Sequence, residues 1–229
     1  MVKPRPIRTA AEHAIEVPRT ARYHVLGDAA GSDLWIVLHG FGQLAGDFIE
    51  YFTELNDGRH IVVAPEALNR YYTAALSVPS AERAVGATWM TREFREAEIR
   101  DYVRYLDLLH AEVAERFSPR RTVVVGFSQG GATASRWAVH GSADIHTLVL
   151  WGATLPPDLD LVAAKDRLAR AHLKLVIGKS DQYILPDALG RERVRLTAAN
   201  IPHEVIEYDA GHSIKRAVLR DLATRIESV

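Results

Sequence analysis

The sequence predicts an α/β fold, a mostly parallel eight-stranded sheet with helices on both faces. Three observations carry this reading. Short apolar runs alternate along the chain with longer stripes at helical spacing. The interior runs, "LWIVL", "IVVA", "TVVVG", "LVLWG" and "LKLVIG", are continuously apolar, as strands covered on both faces must be. At 229 residues with 48% hydrophobic and 25% charged side chains, the chain has enough apolar material for one large core.

Taken in order, residues 1–13 read as a loosely ordered extension of a single domain spanning 1–229. This start is basic but lacks the apolar stretch of a signal peptide. Strands are expected at residues 14–17 and 21–26, close enough without a helix between them to form an antiparallel hairpin at one edge. Further strands are expected at 34–39, 60–64, 121–127, 146–151, 173–177 and 204–208. Thr91 is placed to cap a long helix, with Glu93 and Glu96 in its first turn and Ile99, Val103, Leu106, Val113 and Phe117 along one stripe. The last helix carries Ile214, Val218, Leu222 and Ile226 at the same spacing. Strand–helix alternation of this kind implies a doubly wound sheet. Residues 66–90, "EALNRYYTAALSVPSAERAVGATWM", show no clear period; segments this long are usually functional or disordered, and Tyr71, Tyr72 and Trp89 favour a structured loop.

A net charge of -1 argues against nucleic acid or an anionic membrane surface as partner. Cysteine is absent, which removes disulfides and thiolate metal sites and is compatible with a reducing cytoplasm, the expected location. No apolar run approaches the roughly 20 residues of a membrane-spanning helix.

Four features fall where strands should end. "GFSQGG" places Ser128 between Gly126 and Gly130, in a G-x-S-x-G pattern that lets a strand turn sharply into a helix with the hydroxyl exposed at the tip. A serine that merely caps a helix does not need glycines on both sides. "LHGFGQ" follows the third expected strand; its glycines let backbone N–H groups approach a ligand, and Phe41 and Gln129 are the candidate donors to a developing oxyanion. "DAGHSI" puts His212 after the last strand. Of ten histidines it alone combines a preceding glycine, a strand end and the chain order Ser…Asp…His, whereas His39 belongs to the glycine turn and reads as structural. "VIGKSDQYILP" puts Asp181 just after the seventh strand, positioned to orient an imidazole. Asp158 and Asp160, after the sixth strand, are rivals; Asp209, three residues before His212, is too close to face its ring.

"HGFG", "GFSQGG", "GKSD" and "AGH", in this order, resemble the phospholipase/carboxylesterase family of α/β-hydrolases, which includes the acyl-protein thioesterases. The resemblance spans residue 21 to the end. It implies an α/β-hydrolase fold with little or no cap, a nucleophilic Ser128, the acid Asp181, the base His212 and an oxyanion hole from Phe41 and Gln129. It implies hydrolysis of carboxylic esters or thioesters of small to medium acyl groups through an acyl-enzyme, with no cofactor and no metal. The expected partner is a small acyl substrate, not a membrane or a nucleic acid, and the assembly a monomer or homodimer. Walls for the acyl group are expected from Phe41, Trp89, Tyr183, Ile184 and the 71–76 loop. The sequence departs from the family where Gln43 follows the HGxG turn in place of a usual acidic residue, and where Pro186 sits five residues beyond Asp181. Alternatives are a lyase or perhydrolase on the same triad, or a catalytically silent binding protein of this fold.

Overall fold

The computed structural model describes residues 10–28, 30–75, 77–184 and 186–228. In chain order the elements begin β1 (Tyr23–Leu26), β2 (Asp33–Leu38), α1 (Ala45–Phe48) running into a 3-10 stretch (Ile49–Leu55), β3 (His60–Pro65), β4 (Asn69–Tyr72) and β5 (Val85–Thr88). They continue α2 (Arg95–Phe117), β6 (Thr122–Phe127), α3 (Gln129–His140), β7 (Thr147–Trp151), α4 (Leu161–Arg170), β8 (Leu173–Gly178), α5 (Pro186–Ala198), β9 (His203–Tyr208) and α6 (Arg216–Glu227).

Continuous apolar strands give two core faces by parity, because successive side chains point to opposite sides of a sheet. In β2, Leu34, Ile36 and Leu38 join one core with Ile99, Tyr102 and Leu106 of α2, Trp137 of α3 and Leu168 of α4. Trp35 and Val37 join the other, with Phe48, Phe52 and Leu55 before β3 and Leu219, Leu222 and Ile226 of α6. The strand order is β1-β3-β2-β6-β7-β8-β9. β1 runs antiparallel to β3, and the other pairs are parallel.

Three expectations are corrected. The sheet has seven strands, not eight, because residues 14–17 form no strand. Their apolar members lie in solvent, Ile15 87% and Val17 71% exposed, and Pro18 follows, so the alternation "AIEV" buries nothing and has no ladder to join. β1 pairs instead with β3, so there is no edge hairpin. The long helix starts at Arg95: Phe94 adopts a left-handed conformation (φ 49°, ψ 36°), and Thr91 Oγ1 accepts only the Glu93 N–H of a separate turn. The 66–90 segment holds an antiparallel ribbon of its own, β4 with β5. Residues 10–13 are exposed and irregular, and the rest of the expected N-terminal extension lies outside the described residues.

The parallel strands β2, β6, β8 and β9 all end on one side of the sheet, which is where open α/β sheets hold their ligands.

Candidate active site

β6 delivers Ser128. Between it and α3 the chain fits only with glycine: a Cβ on Gly126 would lie 2.3 Å from the Gly130 carbonyl oxygen, and one on Gly130 2.2 Å from that of Leu38. Ser128 itself holds φ 52° and ψ −117°, a conformation costing a non-glycine residue on the order of 1–3 kcal/mol. It is pinned there by Ser128 N–H donating to Trp151 C=O (3.0 Å) and by Gly131 N–H donating to Ser128 C=O (2.9 Å). The side chain sits half-buried at the N-terminus of α3.

β2 delivers the glycine turn. His39 is fully buried, and burial pushes its imidazole below the ordinary histidine range. Nδ1–H donates to the Gly40 carbonyl (2.8 Å), while Nε2 accepts the Ala67 N–H (3.1 Å), so this ring is neutral and structural. The Trp89 indole N–H donates to the His39 carbonyl (2.9 Å). Gln43 folds back so that its Oε1 accepts the Gly40 N–H at 2.8 Å, a task that asks for an acceptor oxygen and that a carboxylate could equally perform. β5 laces to the same turn: Gly42 N–H donates to Ala87 C=O (2.8 Å) and Ala87 N–H to Gln43 C=O (3.2 Å). Gly86 permits this approach, since a Cβ there would stand 2.4 Å from the Gly42 oxygen. A Cβ on Gly40 would come 3.3 Å from the Ser128 Cβ, so the turn passes directly beside the serine. Among the described residues, neither the Phe41 nor the Gln129 backbone N–H has a protein acceptor.

β8 and β9 bring an acid and an imidazole together. Asp181 is 5% exposed, and its Oδ1 accepts the N–H groups of Tyr183 (2.8 Å) and Ile184 (3.1 Å). Its Oδ2 lies 2.7 Å from His212 Nδ1. A carboxylate only accepts, so Nδ1 carries the proton and Nε2 is left with its lone pair. The ring lies between Phe127, 4.8 Å away and adjacent in sequence to Ser128, and Tyr183 at 4.7 Å. Gly152 makes the space, because a Cβ there would be 2.9 Å from the imidazole. Behind it, the Tyr208 hydroxyl donates to the Ser213 carbonyl (2.5 Å), fixing the loop that carries His212.

The other aspartates are engaged elsewhere. Asp160 caps α4, accepting from Val162 and Ala163 N–H at 3.0 and 3.1 Å. Asp158 pairs with Arg136 (2.7 Å) and Arg95 (2.8 Å), and Asp209, largely exposed, pairs with Lys179.

Of the expected acyl-binding residues, Phe41 (62% exposed) and Tyr183 (69%) stand open at the mouth, Phe41 against Tyr71 at 5.6 Å between ring centres, and Ile184 is half-buried. Trp89 is 2% exposed and lies between His39 and Tyr102, so it supports the turn from beneath instead of walling an open pocket. Leu76, the end of the 71–76 loop, lies outside the described residues. Sequence reasoning missed the side-chain tasks of Gln43, Gln129 and Thr88. The signal for the two glutamines was their place directly after a glycine- or serine-centred turn; Thr88 had none. Among the described residues no group of histidine and acidic side chains could hold a metal ion, and no helix is long and apolar enough to cross a membrane.

Solved structures with the same fold include acyl-protein thioesterase 2 of Zea mays, at 17% identity and a TM-score of 0.67 over 91% of this chain and 99% of that one. A carboxylesterase of Mesorhizobium loti matches at 15% identity and 0.66, covering 89% and 94%. A carboxylesterase of Bacillus cereus matches at 14% and 0.63, covering 91% and 94%. At such identities the likeness carries the α/β-hydrolase fold alone. No curated protein matches the chain. Family membership is carried by the sequence itself: the profile of the phospholipase/carboxylesterase family runs from the last residue of β1 to the C-terminus, residues 26–229, and this chain is a hydrolase of that family.

Proposed function

We propose that this enzyme is a serine hydrolase that cleaves carboxylic ester or thioester bonds of small to medium acyl substrates through an acyl-enzyme. The observation that carries the reading is the 2.7 Å contact of His212 Nδ1 with the buried Asp181, on a ring packed beside the strained Ser128 turn. His212 Nε2 takes the Ser128 proton as Oγ attacks the acyl carbonyl. The carbonyl oxygen becomes negative and is met by the N–H groups of Phe41 and Gln129, which cost no reorganisation because they are already unpaired. As the tetrahedral intermediate collapses, the imidazolium gives its proton to the departing alcohol or thiol. Water, deprotonated by the same nitrogen, then attacks the acyl-serine; the acid leaves and Ser128 regains its proton.

The test is Ser128→Ala. Ala keeps the backbone hydrogen bonds that pin this half-buried turn, so the fold is retained, and the loss of a triad nucleophile costs about 10⁶-fold in kcat. Wild type should react with a fluorophosphonate probe and the variant should not. A folded variant that keeps a tenth of wild-type esterase activity excludes the mechanism.

A further inference from the structure

Gln129 opens α3, and its backbone N–H is one of the two proposed oxyanion donors. Its side chain turns away, to the three residues at the end of β5 and just beyond. Nε2 donates to Thr88 Oγ1 (2.9 Å) and to the Met90 carbonyl (3.0 Å), and Oε1 accepts the Trp89 N–H (3.1 Å). Both amide protons and the amide oxygen are therefore used within one short stretch of chain. Thr88 Oγ1 lies 3.0 Å from the Met90 carbonyl and 3.1 Å from Gln129 Oε1, so its single proton closes the cluster in either direction.

The far side of this clamp is the other donor's turn. Ala87, the residue before Thr88, exchanges hydrogen bonds with Gly42 and Gln43 on either side of it, and the Trp89 indole holds the His39 carbonyl. The two donors come from different strands, Phe41 after β2 and Gln129 after β6. Their N–H groups must converge on one oxygen. Beyond the sheet and the close packing of Gly40 against Ser128, a hydrogen-bonded path ties them, from the Gln129 amide through residues 88–90 to β5 and into the turn at 39–43.

We propose that the Gln129 side chain is a positioning residue that sets the distance and angle between the two oxyanion donors by locking α3 to the β4–β5 ribbon. This rests on the serine-hydrolase reading above. A donor lowers the barrier only when aimed at the place where charge develops, and misplacement by about 1 Å can cost about 10²-fold. Ground-state binding has no such requirement, so the effect belongs in kcat.

Gln129→Met keeps the length and apolar bulk of the side chain and removes its hydrogen bonds. Gln129→Glu keeps an acceptor for Trp89 but turns an oxygen against the Met90 carbonyl. Thr88→Val removes the hydroxyl from the other side without touching the serine turn, and serves if the Gln129 variants fail to fold. The substrates are p-nitrophenyl acetate and p-nitrophenyl thionoacetate. Sulfur is a weak acceptor, so the thionoester draws little help from the oxyanion hole. In both Gln129 variants kcat for the oxoester should fall about 10–100-fold with KM within a few-fold. The thionoester rate should fall much less, shrinking the preference for oxygen over sulfur, and Thr88→Val should move the same way by a smaller factor. Variants that keep kcat within twofold, or that lose both substrates equally, overturn the proposal. The underlying reading is checked first and separately: wild-type activity that survives Ser128→Ala overturns that reading instead.

Discussion

At Asp181 each carboxylate oxygen has a separate task. Oδ1 is held by two backbone N–H groups and Oδ2 faces His212, so the carboxylate is already aimed at the imidazole. Replacing it by Asn lets an amide NH₂ face the ring, which favours the wrong tautomer and cannot stabilise an imidazolium. We expect Asp181→Asn to lower kcat by roughly 10⁴-fold with the fold intact. Asp158→Asn and Asp160→Asn, assayed at the same pH, should stay within a few-fold of wild type, since their carboxylates serve an arginine pair and a helix cap. A collapse at either of those, with Asp181→Asn spared, would move the acid to the end of β7. The serine turn of this candidate site was legible in the sequence because it demands glycines, at positions where a Cβ meets backbone at under 2.5 Å. What stayed hidden were side chains whose work depends on a partner far along the chain. Gln129 meets residues 88–90, and Trp89 looked like a pocket wall because its burial beneath His39 leaves no local pattern.

Strands of six residues showed themselves by unbroken apolar runs, whereas β4 and β5 have four each, with a dozen residues between them and only three of their eight residues buried. So short a ribbon has neither the length nor the burial that makes period two visible. It is held to the glycine turn at 39–43 by the hydrogen bonds Ala87 exchanges with Gly42 and Gln43. α2 shows a related effect: its buried stripe was legible, but its first residue was not, because left-handed Phe94 interrupts the path from Thr91. Near that start, Asp158, in the connection between β7 and α4, joins two helices, pairing with Arg136 of α3, only 6% exposed, and with Arg95 of α2. The Arg136 hydrogen bond, reinforced by that of Arg95, holds the Asp158 carboxyl well below the usual aspartate range against the opposing effect of burial. A carboxyl depressed in the folded state contributes stability above its unfolded pKa of about 3.9 and loses it as pH falls toward the folded value. Asp158→Asn should therefore be less stable than wild type at pH 7, by about 1–3 kcal/mol, because a buried guanidinium loses its charged acceptor. The gap should narrow below about pH 4. Urea midpoints of both proteins between pH 7 and 2.5 check this; a gap that stays constant throughout excludes a folded-state role for the charge.

Across the whole molecule, four parallel strands ending on one side of the sheet bring Ser128, Asp181, His212 and the glycine turn at 39–43 to one end of the sheet, although they lie far apart in sequence. The long connection between β3 and α2 goes into the ribbon that braces the glycine turn at 39–43. Among the described residues the exposed apolar side chains at the mouth are few: Phe41, Tyr183, Tyr51 beside Gly42 and, at the open end of the ribbon, Tyr72 and Val85, 52% and 38% exposed. Gripping a lipid interface takes a contiguous apolar surface of hundreds of Å². A handful of separate rings instead suits an acyl chain that arrives dissolved and lies along Phe41 and Tyr183. We expect soluble p-nitrophenyl esters and acyl-thioesters of short to medium chain to be hydrolysed faster than emulsified long-chain triglycerides. Rates measured across the solubility limit of a single short-chain triglyceride decide the matter. A smooth hyperbola through that limit fits a mouth built for monomers, and a jump in rate where droplets form would mean that the rim gathers into an interface-binding surface.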